Sequence, residues 1–178
     1  AVGACALYGN TTGTLNAAFG NEALKVNTTA SYNTAFGACA LMTNTTSSYN
    51  DAFGMGALCT NNGGTHNVAV GNVALRFNST GCRNTASGHY VMGKNTTGCM
   101  NVAYGYYALV CNTTASGNTA VGACAVFTNT TGASLVGVGY QALAANTTGI
   151  RNTALGVYSQ RYTSTGQFNT SSGYMSLC

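Results

Sequence analysis

Charge is what this sequence has least of. Only 4% of its 178 residues are Asp, Glu, Lys or Arg, where ordinary soluble domains carry about 25%. Glu22 and Asp51 are the only acids, set against Lys25, Arg76, Arg83, Lys94, Arg151 and Arg161 for a net charge of +4. These cations are dispersed, with neither a charge run nor a basic stripe, which argues against a nucleic-acid partner. Proline and tryptophan are missing. No apolar run nears the ~20 residues of a membrane-spanning helix, so membrane insertion is not expected. The two acids fall in different parts of the chain and form no carboxylate pair. His66 and His89 stand alone, without a Ser-His-Asp or Cys-His arrangement, and no glycine-rich phosphate loop precedes a helix. Neither a catalytic site nor a cofactor is expected. Ala1 is neither an initiator Met nor the start of a signal peptide, which a processed N-terminus or a partial chain would explain.

What the chain does have is one unit, repeated without insertion or deletion. Copies begin at Asn16, Asn33, Asn50, Asn67, Asn84, Asn101, Asn118, Leu135, Asn152 and Asn169, every spacing being 17, and a partial copy fills residues 1–15. The consensus is N-x-A-[FV]-G-x-x-A-L-x-x-N-T-T-G-x-x, with unit position 1 at Asn16. A short fixed period marks a repeat architecture in which each unit touches only its neighbours. Seventeen residues are too few for the helix pairs of roughly 33–47-residue repeats, and Gly, Asn and Thr disfavour helix throughout. The expected fold is all-β: a single-chain β-solenoid, a parallel roll or helix of about eleven 17-residue rungs, forming one array over residues 1–178. Two short strands per rung are expected, around x-A-[FV]-G and A-L-x-x, with N-T-T-G as the turn.

The columns of this array carry further expectations. Position 5 is glycine in every copy, from Gly3 through Gly88 to Gly173, so a Cβ is not tolerated there. The Ala of position 3, the Leu of position 9 and the Phe, Val, Tyr or Leu of position 4 read as core. The Asn of position 1 reads as a side-chain amide ladder. The repeat starts and stops without a polar cap. Either this is a piece of a longer array, or the open ends are an assembly interface through which copies stack head to tail.

Eight cysteines without a zinc-type C-x-x-C spacing suggest an oxidising, extracellular setting. Cys82 and Cys99 both stand at position 16 of consecutive copies and are expected to pair. Cys39 with Cys59 (positions 7 and 10) and Cys111 with Cys124 (positions 11 and 7) are candidate bridges between neighbouring rungs. Cys5 and Cys178 then remain at opposite ends, pairable only between successive subunits of a stack. His66 beside Cys82 and Cys99 could imitate a metal cluster, but a surface histidine and a disulfide account for the same residues.

The N-x-[ST] acceptor sequence occurs at Asn10, Asn27, Asn44, Asn78, Asn95, Asn112, Asn129, Asn146 and Asn169. All but the last fall at position 12, so N-linked glycans would form a stripe along the rod; the same Asn-Thr-Thr-Gly is also good turn chemistry. The paired Thr columns at positions 13 and 14, such as Thr28/Thr29 and Thr96/Thr97, offer a weaker match to ice-binding solenoids. Their usual T-x-T places both threonines on one side of a strand.

The half-unit N-x-A-[FV]-G-x-x-A resembles the head repeats of trimeric autotransporter adhesins. The fuller form with A-L and N-T-T-G is similar to repeats of phage tail-fibre-like surface proteins. The first resemblance implies a left-handed parallel β-roll at a bacterial surface. Against it stand a longer unit, abundant cysteine, and no coiled-coil stalk or membrane anchor. The reading that follows is an extracellular or cell-surface structural protein whose main partner is itself, a solenoid stacked head to tail into a glycosylated surface or biofilm filament. The alternative is an adhesin or tail-fibre receptor-binding rod, trimeric by that resemblance, with Tyr106, Tyr107, Tyr140, Tyr158 and Tyr174 stacking on carbohydrate.

Overall fold

Each repeat contributes one three-residue strand to a single parallel sheet: β1 (Ala17–Phe19), β2 (Thr34–Phe36), β3 (Asp51–Phe53), β4 (Val68–Val70), β5 (Thr85–Ser87), β6 (Val102–Tyr104), β7 (Thr119–Val121), β8 (Val136–Val138), β9 (Thr153–Leu155) and β10 (Thr170–Ser172). The computed structural model describes residues 1–178. Strand order is chain order, and the register is the repeat itself, Ala18 beside Ala35, Ala35 beside Ala52 and on to Ala154 beside Ser171. Val2 bridges Phe19 in the same parallel sense and marks the eleventh copy of the strand position. The chain is a β-solenoid with one repeat per coil. It has no helix long and apolar enough to cross a membrane.

There is one strand per coil rather than two, because positions 8–11 are a run of turns. Position 5 ends each strand with glycine at φ between +119° and +139°. Positions 7 and 9 then adopt left-handed φ, as at Glu22 (58°) and Leu24 (49°) or Tyr107 (56°) and Leu109 (52°). A pleated strand cannot contain such residues. The backbone there bonds alternately within and between coils. Ala23 N–H donates to Gly20 O (3.3 Å), Leu24 to Ala40 O of the next coil (3.0 Å), and Lys25 back to Glu22 O (3.3 Å). Of 117 backbone hydrogen bonds only 18 lie within strands, so the turns carry most of the cohesion.

The core follows from the same geometry. Strand alternation turns position 3 inward, and it packs against positions 8 and 9: Ala52, Ala57 and Leu58 are fully buried, as are Ala103, Ala108 and Leu109. Position 4 is a correction to the expected core. It faces outward, leaving Phe19, Phe36, Phe53, Val70 and Tyr104 exposed along the sheet's outer face. Near the last coils the interior turns polar, with Ser159, Gln160 and Ser171 buried where Ala and Leu stand elsewhere.

Candidate functional site

The most ordered chemistry in the molecule is a pair of asparagine ladders. At position 1, Asn84 Oδ1 accepts the Asn101 backbone N–H (3.0 Å) and Asn101 Nδ2 (3.1 Å), and the pattern recurs from Asn16 upward. At position 12 a second ladder runs unbroken from Asn10 to Asn146. Asn95 Nδ2 donates to Asn78 Oδ1 of the preceding coil (2.8 Å) and to Gly98 O in its own turn (3.0 Å). The two columns meet at position 15, where Gly98 O also accepts from Asn84 Nδ2 (2.8 Å). Both amide hydrogens and the carbonyl of almost every interior asparagine are thereby used, as buried amides require; Asn118 Nδ2, donating only to Gly132 O (3.0 Å), is the exception.

That geometry corrects the expected sugar stripe. Asn27, Asn44, Asn78, Asn95, Asn112, Asn129 and Asn146 have no exposed surface, and Asn10, half-buried in the first coil, belongs to the same column. An N-linked glycan would take one Nδ2 hydrogen from the ladder and demand space in a packed turn. Asn169, also half-buried, is committed to the position 1 ladder through Asn152 Oδ1 (3.1 Å). The sequence missed this second ladder because N-T-T reads as an acceptor site and as a turn, and neither reading reports burial. The paired threonines likewise do not form a hydroxyl array. Position 13 donates Oγ1 to the next coil's backbone, Thr96 to Thr113 O (3.0 Å) and Thr113 to Thr130 O (3.2 Å), leaving position 14 alone in solvent.

All eight cysteines are free thiols. Only Cys82 and Cys99 bring their sulfurs together, 2.8 Å apart with no bond between them. Thr14, Ser31, Ser48, Thr65 and Ser116 share their column, before Ala133, Ile150 and Gln167 follow, and side chains of the column cap the preceding coil. Ser31 N–H donates to Ser48 Oγ (3.0 Å), Cys82 N–H to Cys99 Sγ (3.0 Å) and Cys99 N–H to Ser116 Oγ (2.9 Å). The hydrogen bond to Cys99, with burial second, raises the Cys82 pKa. Cys59 is raised by burial first and by its neighbour Cys39 second. Cys39 instead contacts Glu22 Oε2 (3.9 Å) and Cys111 contacts Lys94 Nζ (4.0 Å). Burial raises Cys124, which lines a recess with Gln141. Cys5 and Cys178 are both exposed, in the first and last coils.

Aromatic side chains stack along the axis at the coil spacing: Phe19 on Phe36 (4.7 Å), and Tyr32 on Tyr49 on His66 (4.9 Å each). His66 is therefore part of a ring stack, and no three His, Cys, Asp or Glu side chains converge. The tyrosines singled out for carbohydrate form two groups. Tyr106 and Tyr107 (4.3 Å) gather with His89 and Tyr90, while Tyr140, Tyr158 and Tyr174 meet edge to face higher up. Partial desolvation, and Tyr107 beside it, raise the Tyr106 pKa. No family model, no curated protein and no solved structure matches this chain.

Proposed function

We propose that the chain is an extracellular structural subunit whose coils stack end to end into a filament, without catalytic activity. The observation that supports this is the open-endedness of the pairing. Each interior coil donates backbone hydrogen bonds to both neighbours and accepts from both, and the same set recurs at every coil-to-coil junction. In the coil of β10, Thr170, Ser172 and Leu177 N–H sit where every earlier coil donates upward, as Val136 does to Asn152 O (2.9 Å) and Leu143 to Ser159 O (3.0 Å). In the first coil, Gly3 and Cys5 N–H sit where later coils donate downward, as Gly20 does to Val2 O (2.8 Å) and Glu22 to Ala4 O (2.8 Å). A further coil, from a continuing chain or a second copy, would be held in the same register. Cys178 and Cys5 occupy positions 10 and 7, which a turn bond joins within several coils, as Tyr8 N–H to Cys5 O (3.4 Å); both thiols are exposed, one in the last coil and one in the first, and so open to a covalent link between stacked copies on oxidation.

Electron microscopy of the purified chain at rising concentration tests the reading. Unbranched filaments are expected, with a reducible ladder of multimers on a gel. Monomers at every concentration, under reducing and oxidising conditions alike, would overturn it. The adhesive-rod alternative is favoured by one observation, the exposed tyrosine groups around Tyr106 and Tyr174. It predicts saturable binding to a glycan array that Tyr106→Ala abolishes.

A further inference from the structure

We infer that the chain carries a binding slot for one planar aromatic anion between its eighth and tenth coils. At positions 10 and 11 most coils place at least one large side chain, and these stand above one another. The coil beginning at Leu135 places Ala144 and Ala145 there instead. One layer of side chains is thereby removed, leaving a recess of about 310 Å³. Phe127 forms its lower wall, Arg161 and Tyr162 its upper wall, and the two alanines its floor.

The thickness of the slot follows from the repeat. Walls two coils apart are separated by roughly 9.6 Å, twice the strand spacing. A flat ring midway lies about 4.8 Å from each wall, within the usual range for stacked aromatic pairs. Rings in adjacent coils of this molecule already stack at 4.7 Å and 4.9 Å, so the missing layer matches one ring in thickness.

Two polar features select the ligand. Gln141 lines the recess, and while its Nε2 donates to Tyr140 OH (3.1 Å), its buried Oε1 has no partner. A ligand hydroxyl would supply the missing donor once the Gln141 amide turns toward the recess, since Oε1 has no open surface as it stands. At the upper wall the Arg161 guanidinium carbon lies over the rings of Tyr158 (4.7 Å) and Tyr162 (5.1 Å). The molecule's one salt bridge joins Lys25 to Glu22, and no acid occurs after Asp51, so Arg161 has no carboxylate of its own. A planar ring with a carboxylate at one edge and a hydroxyl at the other satisfies the walls, the cation and the orphaned acceptor together.

The test is calorimetric titration of the monomeric chain with 4-hydroxybenzoate, beside its neutral counterpart 4-hydroxybenzamide. Saturable binding of the anion is expected, with affinity for the amide lower by about tenfold or more, the worth of one charge-assisted hydrogen bond. Arg161→Gln should remove that preference. Ala144→Phe should abolish binding while circular dichroism stays unchanged, since a phenylalanine there only restores the missing layer. No saturable binding to the native chain, equal affinity for acid and amide, or undiminished binding in a folded Ala144→Phe variant would each overturn the proposal. Should Ala144→Phe fail to fold, the acid–amide comparison still decides it. The assay reads one chain and stands or falls apart from filament formation.

Discussion

Gly88 shows most directly what a single residue does here. Its φ is +138°, and a Cβ would sit 2.5 Å from Gly105 O in the next coil. Gly88→Ala therefore combines backbone strain with a clash against backbone that cannot yield, and should cost about 3 kcal/mol. Gly173→Ala has the same handedness of φ (+119°) but nothing within 4 Å, so only the strain remains, about 1 kcal/mol. Urea denaturation of the two variants measures the difference, and equal losses would contradict the close approach of coils. The glycine column was legible in the sequence because uniformity at one position is visible without any structure. The position 12 ladder was not. Asn95→Ala leaves Asn78 Oδ1 without its one donor and Gly98 O with Asn84 Nδ2 alone, in a dry turn, and should cost about 2–4 kcal/mol, whereas Thr97→Ala, in the exposed position 14 column, should stay within about 0.5 kcal/mol. Leu135 is a natural break in the other ladder. Asn118 Oδ1 there accepts only the Leu135 backbone N–H (2.9 Å), and Asn152 Nδ2 turns instead to Asn146 Oδ1 (3.4 Å).

At the scale of the element, the coil is one short strand followed by turns, the feature least legible in the sequence. Ala-Leu followed by two variable residues has the look of a second strand. Nothing in Leu24 or Leu109 announces a left-handed backbone, since leucine rarely adopts one. It is tolerated because the turn bonds and the neighbouring coil fix it together, an effect of stacking that no single repeat displays. Position 4 has a different cause: alternation along the expected strand already sets neighbouring positions 3 and 4 on opposite faces, and the apolar character of Phe36 pointed to the core against it. The serine and cysteine column allows a prediction at this scale. Exchanging Cys82 and Cys99 together for serine keeps an acceptor for each N–H and should leave thermal stability nearly unchanged. Oxidation of the native pair should join the two coils, with loss of two hydrogens by mass. Because the attacking species is the thiolate and the Cys82 pKa is raised, the rate should keep rising with pH beyond the ordinary cysteine value of about 8.5. A rate that levels off below that value would contradict the hydrogen-bonded thiol pair.

For the whole molecule, one period determines everything. The all-β class, the order of the strands, the register of Ala18 on Ala35 and the first amide ladder were all legible, because a repeat without insertions leaves few other ways to stack. Side-chain direction within the coil was not legible, and with it went the burial of the sequons and the recess above Phe127. Unfolding should begin at the end that includes β10, where the interior is polar: Ser159, Gln160 and Ser171 stand in place of Ala and Leu, and Gln160 Oε1 is buried without a partner. Hydrogen exchange should therefore be faster at Gln160 N–H than at Leu58 N–H, although both donate to a neighbouring coil (2.8 Å and 3.0 Å); equal protection would contradict a weak end. Coils stack in register along the rod, and the proposed filament continues that stack from copy to copy. Fibre diffraction from an aligned, concentrated sample measures it most directly. A reflection near 4.8 Å lying along the fibre axis is expected. A 4.8 Å reflection at right angles to that axis, or none, would contradict it.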